Sequence, residues 1–423
     1  MTFEKGYSSK IDDQFSIHIA KDTEEELTAL INLNIAIHKE ELLESYIRRI
    51  FLKHPRRSDI LWLYLKDDKN DKLVSTICLI PLEWQIQNAN LPACEMEFVG
   101  TLEEYRGNNF IKILNELYEK IMEQNGYILS VIRGIPYYYR SLGYEYISSL
   151  DERIRIPVSK IPRAIDKKIK IRKANSNDLP SIESEYNKSH QNFYIFNKFD
   201  RKCFKFKYLN EEFDTEIRST CIFEEEGELK NYFSIGLSYD KENYEIICPD
   251  LNERQMNVLL QFIINLGNFS KEDTLILSLN ESSLLFSYIK SLGGFPFYSY
   301  GWQVKIPNLS RFFQLSKKIF EERLKRSEFR RLTKTVAISS YQETVKINFN
   351  NGKIESIEVE KGYPNPQTTD LRIPGALLFK LLLGDRTIGE INYIIKDALV
   401  TILSRSLIEI MFPKKLSLFE SYT

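Results

Sequence analysis

The sequence predicts an α/β protein of mixed sheets that passes, in its last third, into a smaller α+β segment. Three observations carry this prediction. Apolar strands alternate with amphipathic helices, a strand–helix–strand stretch recurs at long spacing, and the final stretch changes to a hairpin followed by short helices. With 423 residues, 43% of them hydrophobic, the chain has room for about two to four domains with ordinary cores.

The elements follow in order. "EEELTALINLNIAIHKEELLESYIRRIF" spaces its apolar residues as one helix face does. "SDILWLYL" and "KLVSTICLIPLEW" read as strands around the polar turn "KDDKNDK". Next come the strand "CEMEFVGT", a helix from about Gly107 with Ile111, Leu114, Leu117, Tyr118 and Ile121 on one face, and the strand "YILSVI". The unit closes near "RIPVSKIPRAIDKK", where prolines and charge predict a linker. "RFFQLSKKIFEERLKRS" then predicts an amphipathic helix, and "TVKINFNNGKIESIEVE" a hairpin turning at Asn351-Gly352, with Val345, Ile347 and Phe349 facing Ile357 and Val359. "IPGALLFKLLLGD" puts Pro374 at a helix start and Gly384 just past its end, with "TILSRSLIEIMFP" following.

Two stretches match internally. "YILSVIRGIPYYYRSLGYEY" corresponds to "LILSLNESSLLFSYIKSLGGFPFY", and "EFVGTLEEYRGNNFIKIL" to "EIICPDLNERQMNVLLQF". Arg106 precedes Tyr139 by 33 residues and Arg254 precedes Tyr288 by 34, so order and spacing both repeat, as in a duplicated domain. Gln255 stands where the first copy has Gly107, so only the first copy keeps the residue that admits a ligand close to the backbone.

Composition excludes several classes. The balance of 58 basic against 59 acidic residues gives no broad electrostatic footprint for nucleic acid or an anionic membrane. No apolar run approaches membrane-spanning length. Cys78, Cys94, Cys203, Cys221 and Cys248 lack metal-binding spacing, and an odd number without a secretory signal predicts reduced thiols in a cytoplasm. His18, His38, His54 and His190 stand far apart, so no metal is expected.

The segment from Arg106 to Ile111 leads from strand to helix, where unpaired amides and the dipole favour a phosphate. Asn109 occupies a place suited to glycine, and asparagine is the side chain that most readily takes a left-handed φ. Asn108 and Asn109 also fit a plain helix start, and Thr101 with Glu104 fits a capping box.

At these residues "VGTLEEYRGNNFIKIL", followed by "GIPYYYRSLGY", resembles motif A and the tyrosine segment of the Gcn5-related N-acetyltransferases. The whole order resembles the enhanced-intracellular-survival type. The resemblance implies a catalytic acetyltransferase domain over 1–160, a degenerate second copy over 161–305 and a sterol-carrier-like α+β domain over 306–423. It implies acetyl-CoA as donor and a primary amine (small molecule or lysine side chain) as acceptor; the resembling proteins often assemble into homo-oligomeric rings or dimers, and the sequence leaves the oligomeric state open.

The resemblance also assigns roles. Val99, Gly100 and Thr101 would run beside the pantetheine arm, while Arg106, Gly107, Asn108, Asn109, Phe110 and Ile111 would hold the pyrophosphate, with Gly134 and Ile135 completing the cofactor site. Tyr139, four residues before Gly143, would be the general acid, and the terminal carboxylate of Thr423 the base. Glu95 and Glu97, which share a strand face, are alternative bases. Against an active enzyme stand an acyl-CoA-binding regulator with weak or no turnover and a lipid carrier.

Overall fold

The computed structural model describes residues 2–87, 89–163, 166–209, 218–238 and 242–421. Its strands are β1 (Ser8–Lys10), β2 (Phe15–Ile19), β3 (Leu61–Asp67), β4 (Lys72–Ile86), β5 (Ala89–Thr101), β6 (Leu129–Ile132) and β7 (Glu145–Pro157). They continue with β8 (Ile169–Lys173), β9 (Ile195–Asn197), β10 (Ser219–Glu225), β11 (Glu228–Leu237), β12 (Tyr244–Ile247), β13 (Thr274–Leu279) and β14 (Phe295–Lys305). Among the described residues these fourteen form one mixed sheet, ordered β1-β2-β3-β4-β5-β6-β14-β7-β13-β12-β11-β10-β8, with β9 set against β4.

The duplicated stretches exchange their last strands. β14, from the second copy, pairs with β6 of the first through Gln303↔Ile132 and Lys305↔Ser130. β7, from the first copy, pairs with β13 of the second from Thr274↔Pro157 to Leu279↔Glu152. The expected linker therefore begins too early, because Arg153–Pro157 lies inside the sheet. "RIRIP" alternates as a strand does: Ile154 and Ile156 are buried in the second copy's core, while Arg153 and Arg155 lie over Tyr298, Phe295 and Phe297 on the opposite face. Pro157 is tolerated because it is the strand's last residue.

The helix Glu24–His38 is capped by Thr23, whose hydroxyl accepts from the Glu26 amide, and ends where Lys39 turns left-handed at φ 59°. The helix Phe110–Asn125 buries Phe110, Leu114, Leu117, Tyr118 and Ile121, and stops at Gly126 with φ 75°. No described helix is long and apolar enough to cross a membrane.

A second sheet, ordered β17-β16-β15-β18-β19, comprises β15 (Lys334–Ser339), β16 (Glu343–Asn350), β17 (Lys353–Lys361), β18 (Leu371–Arg372) and β19 (Leu399–Val400). The expected hairpin forms in register, with Val345↔Val359 and Ile347↔Ile357, and its turn has φ 49° at Asn351 and 77° at Gly352. The helix Leu309–Lys325 packs here through Phe313 and Phe320, which meet Phe412 at ring separations of 6.2 and 5.4 Å.

Candidate active site

Strand β5 bends at the centre of the first half-sheet. Its ladder with β4 runs Ser75↔Thr101, Thr76↔Gly100 and then Cys78↔Glu97, so an extra residue bulges from β5, and Phe98 takes a φ of 51°. On the other side β5 pairs with β6 in parallel only from Ala93↔Leu129 to Glu95↔Val131. Beyond Glu95 the two strands part. Among the described residues no strand pairs with Met96–Thr101 on that side, leaving an edge suited to an extended ligand.

Val99, Gly100 and Thr101 lie on this edge. Gly100 has a different reason for being glycine: a Cβ there would sit 2.4 Å from Cγ2 of Ile37, so the helix Glu24–His38 fills the space. Thr101 Oγ1 lies 2.8 Å from Ser75 Oγ, and Glu104 pairs with Lys72 at 2.7 Å. The helix starts only at Phe110, later than Gly107, and the Thr101–Glu104 capping box does not form.

Arg106, Gly107, Asn108 and Asn109 are exposed between strand and helix. Gly107 has φ 87° with no atom within 4 Å of a hypothetical Cβ, and Asn109 is left-handed at φ 58° and ψ 22°. No side chain caps the helix, and its first turn carries no acid, so the start of the helix is open to an anion. The Phe110 and Ile111 side chains are buried in the core, which leaves their backbone amides as the groups a ligand can meet. The second copy is closed at the equivalent place. Asn252 and Gln255 form a capping box through bonds of 3.0 and 3.1 Å, and Arg254 is bonded to Asp166 at 2.6 Å and Glu225 at 2.9 Å.

Tyr139 is buried in a short helical turn after β6. A Cβ on Gly134 would lie 2.0 Å from its ring, so the glycine backbone forms the ring's floor. Burial, with Glu97 adding to it, pushes the Tyr139 phenol well above its ordinary range. Ile135 and Tyr137 are exposed. Tyr144 belongs to the core instead, joined to Ser130 at 2.6 Å, which in turn lies 2.9 Å from the Tyr118 hydroxyl.

Glu95 and Glu97 do share a face, where both meet Arg133: Nη2 donates to Glu97 at 2.9 Å, and Nε lies 3.6 Å from Glu95. Burial and then the Glu97 charge raise the Glu95 carboxyl to about 8, against the opposing pull of Arg133. Ser421 also bears on Glu95. His38 stands near Glu97, its imidazole lowered by burial. Trp302, from the exchanged strand β14, lies 5.7 Å from the Arg133 guanidinium.

Thr423 falls outside the described residues. The chain before it runs beside β9, with one parallel bridge between Phe196 and Leu418. The Tyr194 amide donates to Leu416 at 2.6 Å, the Leu418 amide donates to Ile195 at 2.9 Å, and Phe419 stacks on Trp84 with ring centroids 4.2 Å apart. Arg133 and this tail path escape sequence reasoning. Neither has a periodic signal, since one is a lone arginine after a strand and the other an irregular end whose partners lie some two hundred residues away.

Among solved structures the chain is similar to a GCN5-related N-acetyltransferase from Anabaena variabilis ATCC 29413 (15% identity, 95% of this chain and 99% of that one, TM-score 0.66). It is also similar to a probable N-acyltransferase from Enterococcus faecalis V583 (14%, 97% and 100%, TM-score 0.69). Eis1 from Mycobacterium abscessus shares the fold as well (10%, 97% and 99%, TM-score 0.59). No curated protein sequence matches the chain. Residues 18–147 match the acetyltransferase (GNAT) domain family, and this is the part of the chain that carries the parted strand, the open helix start and Tyr139.

Proposed function

We infer that the protein is an N-acetyltransferase that moves an acetyl group from acetyl-CoA to a primary amine in the cytoplasm. The observation that carries this is the parted edge Met96–Thr101 leading to an uncapped helix start at Phe110, within the part of the chain that matches the GNAT domain family. A long thioester with a pyrophosphate fits both features. The Val99–Thr101 backbone would align its arm, and Arg106 to Asn109 with the amides of Phe110 and Ile111 would hold the pyrophosphate. Gly134 and Ile135 would lie at its acyl end. The left-handed Asn109 does there what glycine would do, which supports binding despite the missing glycine.

The donor supplies a thioester carbonyl as electrophile. An attacking ammonium must first lose a proton, the carbon–nitrogen bond forms as the carbon–sulfur bond breaks, and the departing thiolate gains a proton. Tyr139 is the donor of that last proton: its phenol is protonated at neutral pH, and its buried ring is held in place against the Gly134 backbone. The terminal carboxylate of Thr423 is the base that accepts the first. The course of the tail through Phe419 to Ser421, which bears on Glu95, supports this assignment. Glu95 is poorly suited to that role because Glu97 and burial keep it largely protonated. The 306–423 segment, sterol-carrier-like by resemblance, serves here to deliver the tail rather than to carry lipid.

Calorimetry with acetyl-CoA, followed by thiol release with a panel of primary amines, tests the function. Binding and amine-dependent thiol release are expected. Absence of binding overturns the site, and binding without release for any amine leaves an acyl-CoA-binding regulator.

A further inference from the structure

The degenerate copy has closed its own anion site, yet it holds a buried polar cluster that the chemistry above does not use. Glu420 is 5% exposed and points into that cluster. Its Oε2 accepts from the Tyr208 hydroxyl at 2.6 Å and lies 3.3 Å from Lys207 Nζ, while Oε1 lies 3.2 Å from His190 Nε2. Asn197 reads the backbone of the same residue in both directions: its Nδ2 donates to the Glu420 carbonyl at 2.7 Å, and its Oδ1 accepts from the Glu420 amide at 2.9 Å. Lys207 also donates to the Ser421 carbonyl. Three segments of the second copy thus converge on one residue of the tail: the helix Leu179–His190, strand β9 and the helix Arg201–Tyr208.

The neighbouring side chain points the other way. Phe419 lies between Trp84 at 4.2 Å and Trp302 at 6.2 Å, in the large apolar cluster shared by the N-terminal and C-terminal parts of the chain. Alternation makes this pair a register lock. A slip of one residue would press the ring into the charged cluster and the carboxylate between two indoles, where burial would leave it unpaired.

We propose that Glu420, held by Asn197, Lys207, His190 and Tyr208, is the positioning residue that sets the register of the chain end in the first copy's active site. With residue 420 fixed, Ser421 comes beside Glu95. The second copy has exchanged ligand binding for holding the tail. This rests on the reading of the terminal carboxylate as base, and the test separates the two.

Steady-state kinetics compare the full chain, Glu420→Gln, deletion of Tyr422 and Thr423, and the combination. A mispositioned base costs about 10²-fold in kcat, so Glu420→Gln is expected to lose that much with an unchanged KM for acetyl-CoA. The combined variant is expected to be no slower than the deletion alone, because an absent chain end cannot be misplaced. Multiplying losses, or a full rate in Glu420→Gln beside a slow deletion variant, overturn the register role alone. An undiminished rate after deletion overturns the base and the register role together. Should Glu420→Gln fail to fold, Asn197→Ala removes the backbone reading while leaving the buried charges paired, and carries the same expectations.

Discussion

Replacing Glu95 by Gln is expected to flatten the protein's loss of stability in mild alkali. Burial and the Glu97 charge raise this carboxyl from its ordinary 4.5 to about 8 in the folded chain. A group raised by folding contributes stability that is complete below its unfolded value and is lost as pH climbs through its folded value. The window is therefore from 4.5 to about 8. Each pH unit inside it costs about 1.4 kcal/mol, so passing from about pH 6 to about pH 8 removes about 2 kcal/mol from the wild type once half-titration at the upper end is allowed for. Glutamine has the shape of the protonated acid and does not titrate. Urea denaturation of both proteins at about pH 6, 7 and 8 measures the difference, with the variant gaining on the wild type by that amount. Parallel stability curves would mean that Glu95 is ionised throughout beside Arg133, and would reopen it as a base.

Other expectations follow from the same site. Tyr139→Phe should lower turnover roughly 10²-fold with donor binding unchanged; a variant with the full rate removes Tyr139 as the acid. Gly134→Ala sets a methyl 2.0 Å from the Tyr139 ring and should reproduce that loss by displacing the phenol, measured as kcat with calorimetric donor affinity as control. Calorimetry should find one acetyl-CoA per chain, abolished by Gly107→Glu, which adds bulk and negative charge where the pyrophosphate would lie; two equivalent sites would mean that the capping box at Asn252 opens. Gly100→Ala should destabilise the fold by about 1–3 kcal/mol through its collision with Ile37, and Ile37→Ala should recover much of that in thermal melts; no destabilisation would mean that the helix moves freely.

Local chemistry made much of this molecule readable before its structure. Asn351-Gly352 dictates a hairpin because both residues accept positive φ, and the alternation around them then fixes register. The helix Phe110–Asn125 has a strong apolar stripe and a glycine stop, and only its start was misjudged, since a glycine-bearing loop and a first helical turn look alike in sequence. Gly100 was legible as a close approach, though what approaches is Ile37. Strand exchange was not legible. β7 and β14 pair across some 150 residues, and nothing in "RIRIP" announces which copy it will join. The tail's partners escaped for a related reason: nothing in "LSLFESYT" announces that Trp84, Trp302 and Asn197 are brought together around it.

The exchange of β7 and β14 also governs how the protein can be made. On the ribosome the first copy emerges with β6 as an uncovered sheet margin, and the strand that covers it is not synthesised until residues 295–305. For the time that takes, the nascent chain presents a template for mispairing with its neighbours, a hazard that chaperones exist to manage. Separating the halves would leave each without the strand that closes its part of the sheet. Deleting residues 161–305 would take β14 from β6 and β13 from β7, uncovering both strands of the N-terminal part.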